Sequence, residues 1–248
     1  MRYLVLSDIH GNLEALEAVL RAVGAQQYEA LLVLGDLVGY GADPNAVVER
    51  VRGLNPLVVI RGNHDRVAAG IDDAGEFNAV ARSAARWTQQ ALTADNRDYL
   101  AALPAGPHLV DASIEICHGS PFDEDLYIFE DLDAVRALMA SERPVCFFGH
   151  THVALVVQLL ERAGVQIDSP RGHPEVEVVV QAGRKYLINP GSVGQPRDGD
   201  SRAAYAIADL ERRQVLLCRV SYPIQTAQGK ILAAGLPPVL AHRLAMGR

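Results

Sequence analysis

Residues 3–12 read YLVLSDIHGN, a short apolar run followed at once by a polar turn that contains an aspartate and a histidine. The next run, LEALEAVLRAV at 13–23, repeats leucine at the spacing of one helix face. Asn12 is suited to the N-cap of that helix, and Gly24 to its C-terminal end. The stretch predicts a buried strand, a glycine-bearing loop and an amphipathic helix.

The same local order recurs twice in the following residues. ALLVLGD at 30–36 runs into GYGADPN, where Asp43 and Pro44 suit the N-cap and first turn of a second helix. PLVVI at 56–60 then runs into RGNHD. Apolar strands that alternate with helices indicate an α/β fold.

Residues 66–103 follow a different pattern, which we interpret as a helical insertion in a single domain that spans residues 1–248. Apolar residues recur there at three- and four-residue spacing, and a second short helix is expected after Thr93; the spaced residues are Phe77, Val80, Ala84, Trp87 and Ala91. Trp87 on this segment suits packing in the core, with a platform for substrate as the alternative.

The second half of the chain returns to strands. HLVDA, SIEICHG and PVCFFGHTH surround a predicted helix near 130–140, and the short β-branched runs after Val153 favour antiparallel pairing. The tail after Tyr222 suits helix. The whole pattern predicts an α/β (α+β) fold: a two-layered, mixed β-sandwich flanked by helices.

The composition limits the kinds of molecule that the chain is expected to bind. The chain is 49% hydrophobic and 21% charged, with a formal net charge of −7, and it contains no basic block. This argues against general binding to nucleic acid or to an anionic membrane. No apolar run is long enough to span a bilayer, and the three cysteines lack CxxC spacing, so we expect a cytoplasmic protein with reduced thiols. Nothing in the sequence indicates the oligomeric state.

Five histidines follow strand-like apolar runs, each within three residues of a glycine: His10, His64, His118, His150 and His152. Open α/β sheets collect their ligands at the carboxyl ends of strands. Asp8 with His10, and His150 with His152, are two residues apart and can aim at one point. Taken singly, each histidine is a plausible loop residue, and Asp36 and Asn63 are plausible turn and capping residues.

Taken together, these side chains form a set that is competent to bind metal, and the pattern predicts a metal centre. Imidazole suits zinc, iron, nickel and manganese, whereas carboxylate and amide oxygens favour harder ions such as manganese. Two ions that share one carboxylate can polarise a phosphate group and activate a water between them. We therefore predict a dinuclear site at the carboxyl ends of the strands.

The ordered blocks DxH, GDxVGYG, GNHD, HG and GHTH, spanning residues 8 to 152, resemble the calcineurin-like metallophosphoesterase superfamily. NPGSVGQPR at 189–197 further resembles a late block of its bacterial phosphodiesterase and diadenosine-polyphosphatase-related branch. No block departs from the pattern at a ligand position.

The resemblance implies two divalent ions, with manganese expected and iron, zinc or nickel as alternatives. It assigns Asp8, His10 and His152 to the first ion, and Asn63, His118 and His150 to the second, while Asp36 bridges both. It also implies that His64 assists the reaction without binding metal, either by contacting a phosphoryl oxygen or by protonating the leaving group. Asp65 is expected to orient His64.

Two further residues suit the substrate. Arg197 can grip a phosphate, although a turn residue paired with Asp198 is an equal alternative. Tyr40 lies in the GYG loop, where contact with a ligand and plain packing are equally plausible.

The expected activity is hydrolysis of small phosphodiesters or phosphomonoesters by in-line attack of a metal-bridging hydroxide. The alternatives are hydrolysis of diadenosine polyphosphates, dephosphorylation of phosphoserine or phosphothreonine in proteins, and a non-catalytic scaffold. A scaffold is expected to lose ligands that this chain retains.

Overall fold

The computed structural model describes residues 1–24, 27–160 and 164–248. Its strands form two sheets, each of six strands. The strand bounds are β1 Arg2–Leu6, β2 Ala30–Val33, β3 Val58–Val59, β4 His108–Leu109, β5 Ile114–Ile116, β6 Val145–Phe147, β7 Leu155–Leu160, β8 Gly164–Asp168, β9 Glu175–Val179, β10 Tyr186–Asn189, β11 Ala203–Asp209 and β12 Gln214–Val220. The order is β3-β2-β1-β11-β12-β9 in the first sheet and β4-β5-β6-β10-β7-β8 in the second.

Parallel and antiparallel pairs occur in both sheets, so the prediction of a mixed, two-layered sheet is confirmed. Strands β1, β2 and β3 are mutually parallel, as are β5, β6 and β10. The prediction of antiparallel pairing after Val153 holds for β11 with β12 and for β12 with β9. Strand β10 differs because it is antiparallel to β7 but parallel to β6.

The alternation of side chains along β1 shows how the layers are assembled. Tyr3 and Val5 point between the sheets, where they join Phe147 and Ile188 from the second sheet in one buried cluster. Leu4 and Leu6 point the other way, into a second cluster beneath helices. Because successive residues of a strand face opposite sides, a strand buried on both faces is apolar throughout.

Helices cover the outer faces of both sheets. Their bounds are α1 Leu13–Val23, α2 Pro44–Gly53, α3 Asn63–Ala69, α4 Ala79–Ala91, α5 Ala94–Ala101, α6 Asp131–Ala140, α7 Ile224–Ala233 and α8 Pro238–Met246. Helix α6 packs on the second sheet, and α7 and α8 confirm the predicted helical tail. Within the described ranges, no helix combines the length and apolar character needed to cross a membrane.

Local signals predicted both ends of α1 and the start of α2. Asn12 accepts a hydrogen bond from the Ala15 amide, and the Gly24 amide donates to the Leu20 carbonyl. Asp43 is the N-cap residue of α2 but makes no side-chain capping bond; its carboxylate accepts from Lys230 at 2.6 Å instead. An ion pair to a distant helix therefore replaces the local cap.

The segment predicted as a helical insertion contains α4, α5 and most of α3, separated by a non-helical stretch at 70–78. Phe77 was expected on the first long helix of this segment, but α4 begins only after the N-cap Asn78, whose side chain accepts from two amides. Trp87 packs against the core cluster beneath the helices, in agreement with the packing interpretation.

Candidate dinuclear metal site

Six of the seven side chains proposed from the sequence lie on the loops that follow the parallel strands, and the seventh, Asn63, is the first residue of α3. Asp8, His10, Asp36 and His152 each offer a ligand atom within 4.8 Å of the others, and Asp36, His118 and His150 form a second such group. We call Asp8, His10 and His152 the deep half, and Asn63, His118 and His150 the cavity half. Asp36 is common to both groups, so the structure brings together residues that lie far apart in the sequence.

The Asp36 carboxylate lies between the two halves. Its Oδ2 is 3.5 Å from His10 Nε2 and 3.5 Å from His118 Nε2. It is buried and accepts no hydrogen bond from any residue that the structure describes. The other oxygen, Oδ1, accepts from the His64 amide at 2.9 Å, which holds the carboxylate in this orientation.

Hydrogen bonds to carbonyl groups set the tautomers of the deep-half histidines. Nδ1 of His10 donates to the Val38 carbonyl at 3.0 Å, and Nδ1 of His152 donates to the Gln195 carbonyl at 2.7 Å. Each Nε2 therefore carries a lone pair, as a metal ligand requires. The two Nε2 atoms are 3.0 Å apart. Lone pairs that face each other at this distance repel, and a shared cation relieves the repulsion.

Hydrogen bonds to backbone carbonyls also set the histidine tautomers in the cavity half, but the donating nitrogen differs between its two histidines. His118 Nδ1 donates to the Leu34 carbonyl at 2.8 Å, which leaves Nε2 buried without a partner among the described residues. His150 is reversed, because its Nε2 donates to the Asp125 carbonyl at 3.0 Å and Nδ1 carries the lone pair. Asn63 Oδ1 is likewise buried and unpartnered within the described ranges.

Backbone strain is concentrated in this cluster. Non-glycine residues with positive φ include Asp8 (53°), His10 (50°), Asp36 (53°), His150 (65°) and His152 (58°). Residues other than glycine rarely adopt this region, and such strain accumulates at functional sites where surrounding contacts enforce it. The strand-to-loop turns are thus held in conformations that aim side chains at one point.

Close packing of glycine enforces these turns. A Cβ on Gly194 would overlap the Ile9 carbonyl, and one on Gly149 would overlap the Ser7 hydroxyl. The Ser7 hydroxyl donates to Asp8 Oδ2 at 2.6 Å. The Asn189 side-chain amide donates to the Gly149 carbonyl at 2.8 Å, which secures the GHTH turn.

Burial and charge set the protonation states. Burial opposes the charged form of Asp36, but the neighbouring His118 outweighs it and holds the pKa of that carboxyl well below its usual range. Burial alone would lower the pKa of His118, yet the Asp36 carboxylate raises it to about 10. Burial also lowers the pKa of His10 and His152, so both are neutral near pH 7.

The donor set fits a pair of divalent cations. Imidazole lone pairs and carboxylate and amide oxygens converge, and buried atoms in both halves lack hydrogen-bond partners. A buried polar atom without a partner is costly. A cation bound by these atoms would offset that cost.

His64 borders the cluster, and burial lowers its pKa to about 4, so its imidazole is neutral near pH 7. Its ring packs between Tyr40 and Phe77, with centroids 4.4 and 4.5 Å away. A Cβ on Gly39 would overlap the ring, so glycine is needed at that position.

Asp65 does not orient His64 as predicted from the sequence. Its two oxygens accept from the Val38 amide at 3.2 Å and the Gly62 amide at 3.1 Å. His64 Nδ1 is buried and has no partner among the described residues. Asp65 is the third residue of α3 and is close enough to bond these amides, so it secures the backbone of two ligand-bearing loops.

Arg197 and Tyr40 lie together beside the deep half. The Arg197 guanidinium is 3.4 Å from the Tyr40 hydroxyl and 5.7 Å from the centre of its ring. The Arg197 amide donates to the His152 carbonyl at 3.0 Å. Asp198, the partner considered for Arg197, is instead paired with Arg219. Arg197 is therefore free of that ion pair.

Tyr127 is a site residue that the sequence did not reveal. Its ring stacks on His150 at 3.8 Å, with an interplanar angle of 28°. It lies in the irregular stretch between β5 and α6, near Asp125, whose carbonyl accepts from His150. No periodic pattern marks this stretch. The available signal in the sequence was the short distance along the chain from the HG block to Tyr127.

Comparison with known proteins agrees with this geometry. Residues 1–213 match the calcineurin-like phosphoesterase superfamily domain. The chain is 36% identical to the MJ0912 protein of Methanocaldococcus jannaschii, over 98% of this chain and 97% of that protein. It is 25% identical to the phosphodiesterase YfcE of Escherichia coli, over 87% of this chain and 91% of YfcE.

A solved structure extends the comparison to the whole chain. A metallophosphoesterase from Sphaerobacter thermophilus superposes with a TM-score of 0.89 and 41% sequence identity, covering 100% of both chains. The prediction made from the five blocks is therefore confirmed: the chain belongs to the calcineurin-like phosphoesterase superfamily.

Proposed function

We propose that this protein hydrolyses small phosphodiesters or phosphomonoesters with two divalent metal ions, manganese being the expected ion. The observation that carries the proposal is the position of Asp36 Oδ2, at 3.5 Å from a lone-pair nitrogen of each half. That position suits a carboxylate bridging two ions. When bound, the ions polarise the phosphoryl group and supply an activated water for in-line attack.

In this proposal, Asp8, His10 and His152 bind one ion, Asn63, His118 and His150 bind the other, and Asp36 bridges. Further residues act on the substrate. His64, beside the cluster, donates a hydrogen bond to a phosphoryl oxygen or, in its protonated form, protonates the leaving group. Arg197, with Tyr40 against its guanidinium, binds a phosphate oxygen. Asp65 acts indirectly, through the backbone of the ligand loops.

The test uses bis(p-nitrophenyl) phosphate and p-nitrophenyl phosphate with manganese, together with metal analysis of the purified protein. We expect two ions per chain and manganese-dependent hydrolysis, and we expect Asp36→Asn and His118→Ala each to abolish it. Exposed Asp95 provides the matched control, because Asp95→Asn should keep the wild-type rate. Wild-type rates in both site variants, or a protein that binds no metal in excess manganese, would refute the proposal.

Diadenosine polyphosphates and phosphopeptides are the competing substrate classes, and comparing kcat/KM across the panel ranks them. For the compartment we propose the cytoplasm, supported by three buried cysteines that carry free thiols. We also propose one domain in which residues 66–103 are an insertion bordering the site.

A further inference from the structure

A cavity of about 460 Å³ adjoins the cavity half of the cluster. Asn63, His64 and His150 border it on the side of the proposed ions, and residues 72–78 and Tyr127 contribute to its walls. A phosphate ester held at the cluster therefore has room here for one of its substituents. Because His64 borders the cavity, this substituent is well placed to be the leaving alcohol.

Negative charge dominates the lining of this cavity. Four carboxylates, those of Asp72, Asp73, Glu76 and Asp125, face one guanidinium, that of Arg66. Arg66 donates to Asp72 at 3.3 Å, to Asp125 at 2.6 Å and also to Glu124 at 3.1 Å. Its positive charge is thus already shared among three acids.

Two of the lining acids remain without a cationic partner. Asp73 and Glu76 are exposed and form no ion pair within ranges 1–24, 27–160 and 164–248. Both line the cavity, so their charges act on any group held in it. A ligand with phosphate at the cluster and a second phosphate in this cavity would meet repulsion.

Aromatic side chains form part of the remaining walls. Tyr40, Phe77 and Tyr127 all line the cavity, and each is fixed by packing against a site histidine. Aromatic faces attract ammonium groups, and the attraction increases when the group leaves water. Aromatic walls combined with unpaired carboxylates form a surface suited to an organic cation.

We infer that this cavity binds the alcohol portion of the substrate and selects one that carries an ammonium group on a short alkyl chain. The inference rests on the proposed function, since that function places the phosphate at the metal cluster. Water adds across the ester: a new P–O bond forms, the P–O bond to the alcohol breaks, and a proton from water ends on the departing oxygen. The cavity disfavours dinucleoside polyphosphates, because their leaving groups carry further phosphate.

The activity test compares choline phosphate with 3,3-dimethylbutyl phosphate, in which a neutral carbon replaces the quaternary nitrogen at nearly equal size. We expect kcat/KM of the manganese-loaded protein to favour choline phosphate by about tenfold. In the double variant Asp73→Asn/Glu76→Gln this ratio should fall to within about threefold. The matched control, Glu29→Gln/Glu211→Gln, removes two exposed acids near the start of β1 and should retain the full ratio.

A second measurement does not depend on catalysis. Titration calorimetry should show tighter binding of choline than of 3,3-dimethylbutanol, and the double variant should lose that difference. Equal binding of the two alcohols, or an unchanged ratio in the double variant, would overturn the inference. If the protein hydrolyses bis(p-nitrophenyl) phosphate but does not prefer choline phosphate to 3,3-dimethylbutyl phosphate, the inference is wrong and the proposed function stands. Preferential choline binding without hydrolysis of any ester would overturn only the proposed function.

Discussion

The deep half and the cavity half of the cluster offer similar ligands but are supported differently. In the deep half, Asp8, His10 and His152 are at most 2% exposed, and all three have positive φ. Their histidines are oriented by backbone carbonyls of neighbouring loops. Glycines packed against backbone hold these turns.

The cavity half depends on a more exposed part of the molecule. His150 is oriented by the carbonyl of Asp125, whose side chain is 41% exposed and paired with Arg66. Asn63 and His150 also border the open cavity. The deep half is thus supported by packed backbone throughout, whereas in the cavity half only His118 is oriented in this way and His150 depends on a surface loop and its ion pairs. We expect the deep half to hold its ion more tightly.

Removal of a single proposed ligand, from either half, should give the largest effects and tests the comparison of the two halves directly. His10→Ala and His150→Ala should each lower kcat by on the order of 1,000-fold, because loss of an ion removes several kcal/mol of transition-state stabilisation. Metal analysis should distinguish the two variants. His150→Ala should keep about one ion per chain, whereas His10→Ala should keep less than one. Exposed His242→Ala serves as the control. Equal ion content in the two variants would show that the halves bind metal equally well.

A methyl group added to a glycine should produce an intermediate effect beside the deep half and little effect in the cavity wall. Gly194→Ala places a Cβ against the Ile9 carbonyl and should lower kcat/KM by about 100-fold, since shifts near 1 Å carry that cost. Gly75→Ala, in the cavity wall, meets only the flexible Asp73 side chain and should stay within about threefold.

Gly229→Ala controls for the substitution itself, because nothing lies within 4 Å of the added Cβ on helix α7. Rates are measured on bis(p-nitrophenyl) phosphate, and circular dichroism verifies folding. If Gly194→Ala retained full activity, the rigid backbone of the deep half would not matter for catalysis.

The smallest effect is expected from the ion pairs that support the cavity half. Arg66→Ala frees Asp125 and should weaken binding of the second ion by about tenfold, the lower range for residues that position metal ligands. Manganese titration of the activity measures this shift, and Arg66→Lys should recover part of it. The control is Arg52→Ala, which removes an ion pair with exposed Asp95 far from the ligands. If Arg66→Ala left the manganese titration unchanged, the ion pairs of Arg66 would not contribute to metal binding in the cavity half.

Most of the architecture and the set of candidate metal-binding side chains were predictable from the sequence. Strands such as 3–6 are apolar on both faces because they are buried on both faces, and their ends carry the Asp and His residues. Local chemistry determines these features: strand propensity, glycine turns and the ligand preferences of metal ions. The short strand β8 was missed, since its residues alternate only weakly and lie at a sheet edge.

Only the tertiary structure decided which neighbours support each ligand. Asp65 accepts hydrogen bonds from backbone amides and does not contact His64 as predicted. Phe77 lies before α4 and packs on His64, and Tyr127 stacks on His150. These contacts join segments that share no local pattern, so no spacing along the chain encodes them. The amino-acid sequence by itself determined which atoms can bind metal. Packing of distant loops determined where those atoms point, because a side chain's direction depends on everything that surrounds it in the folded protein.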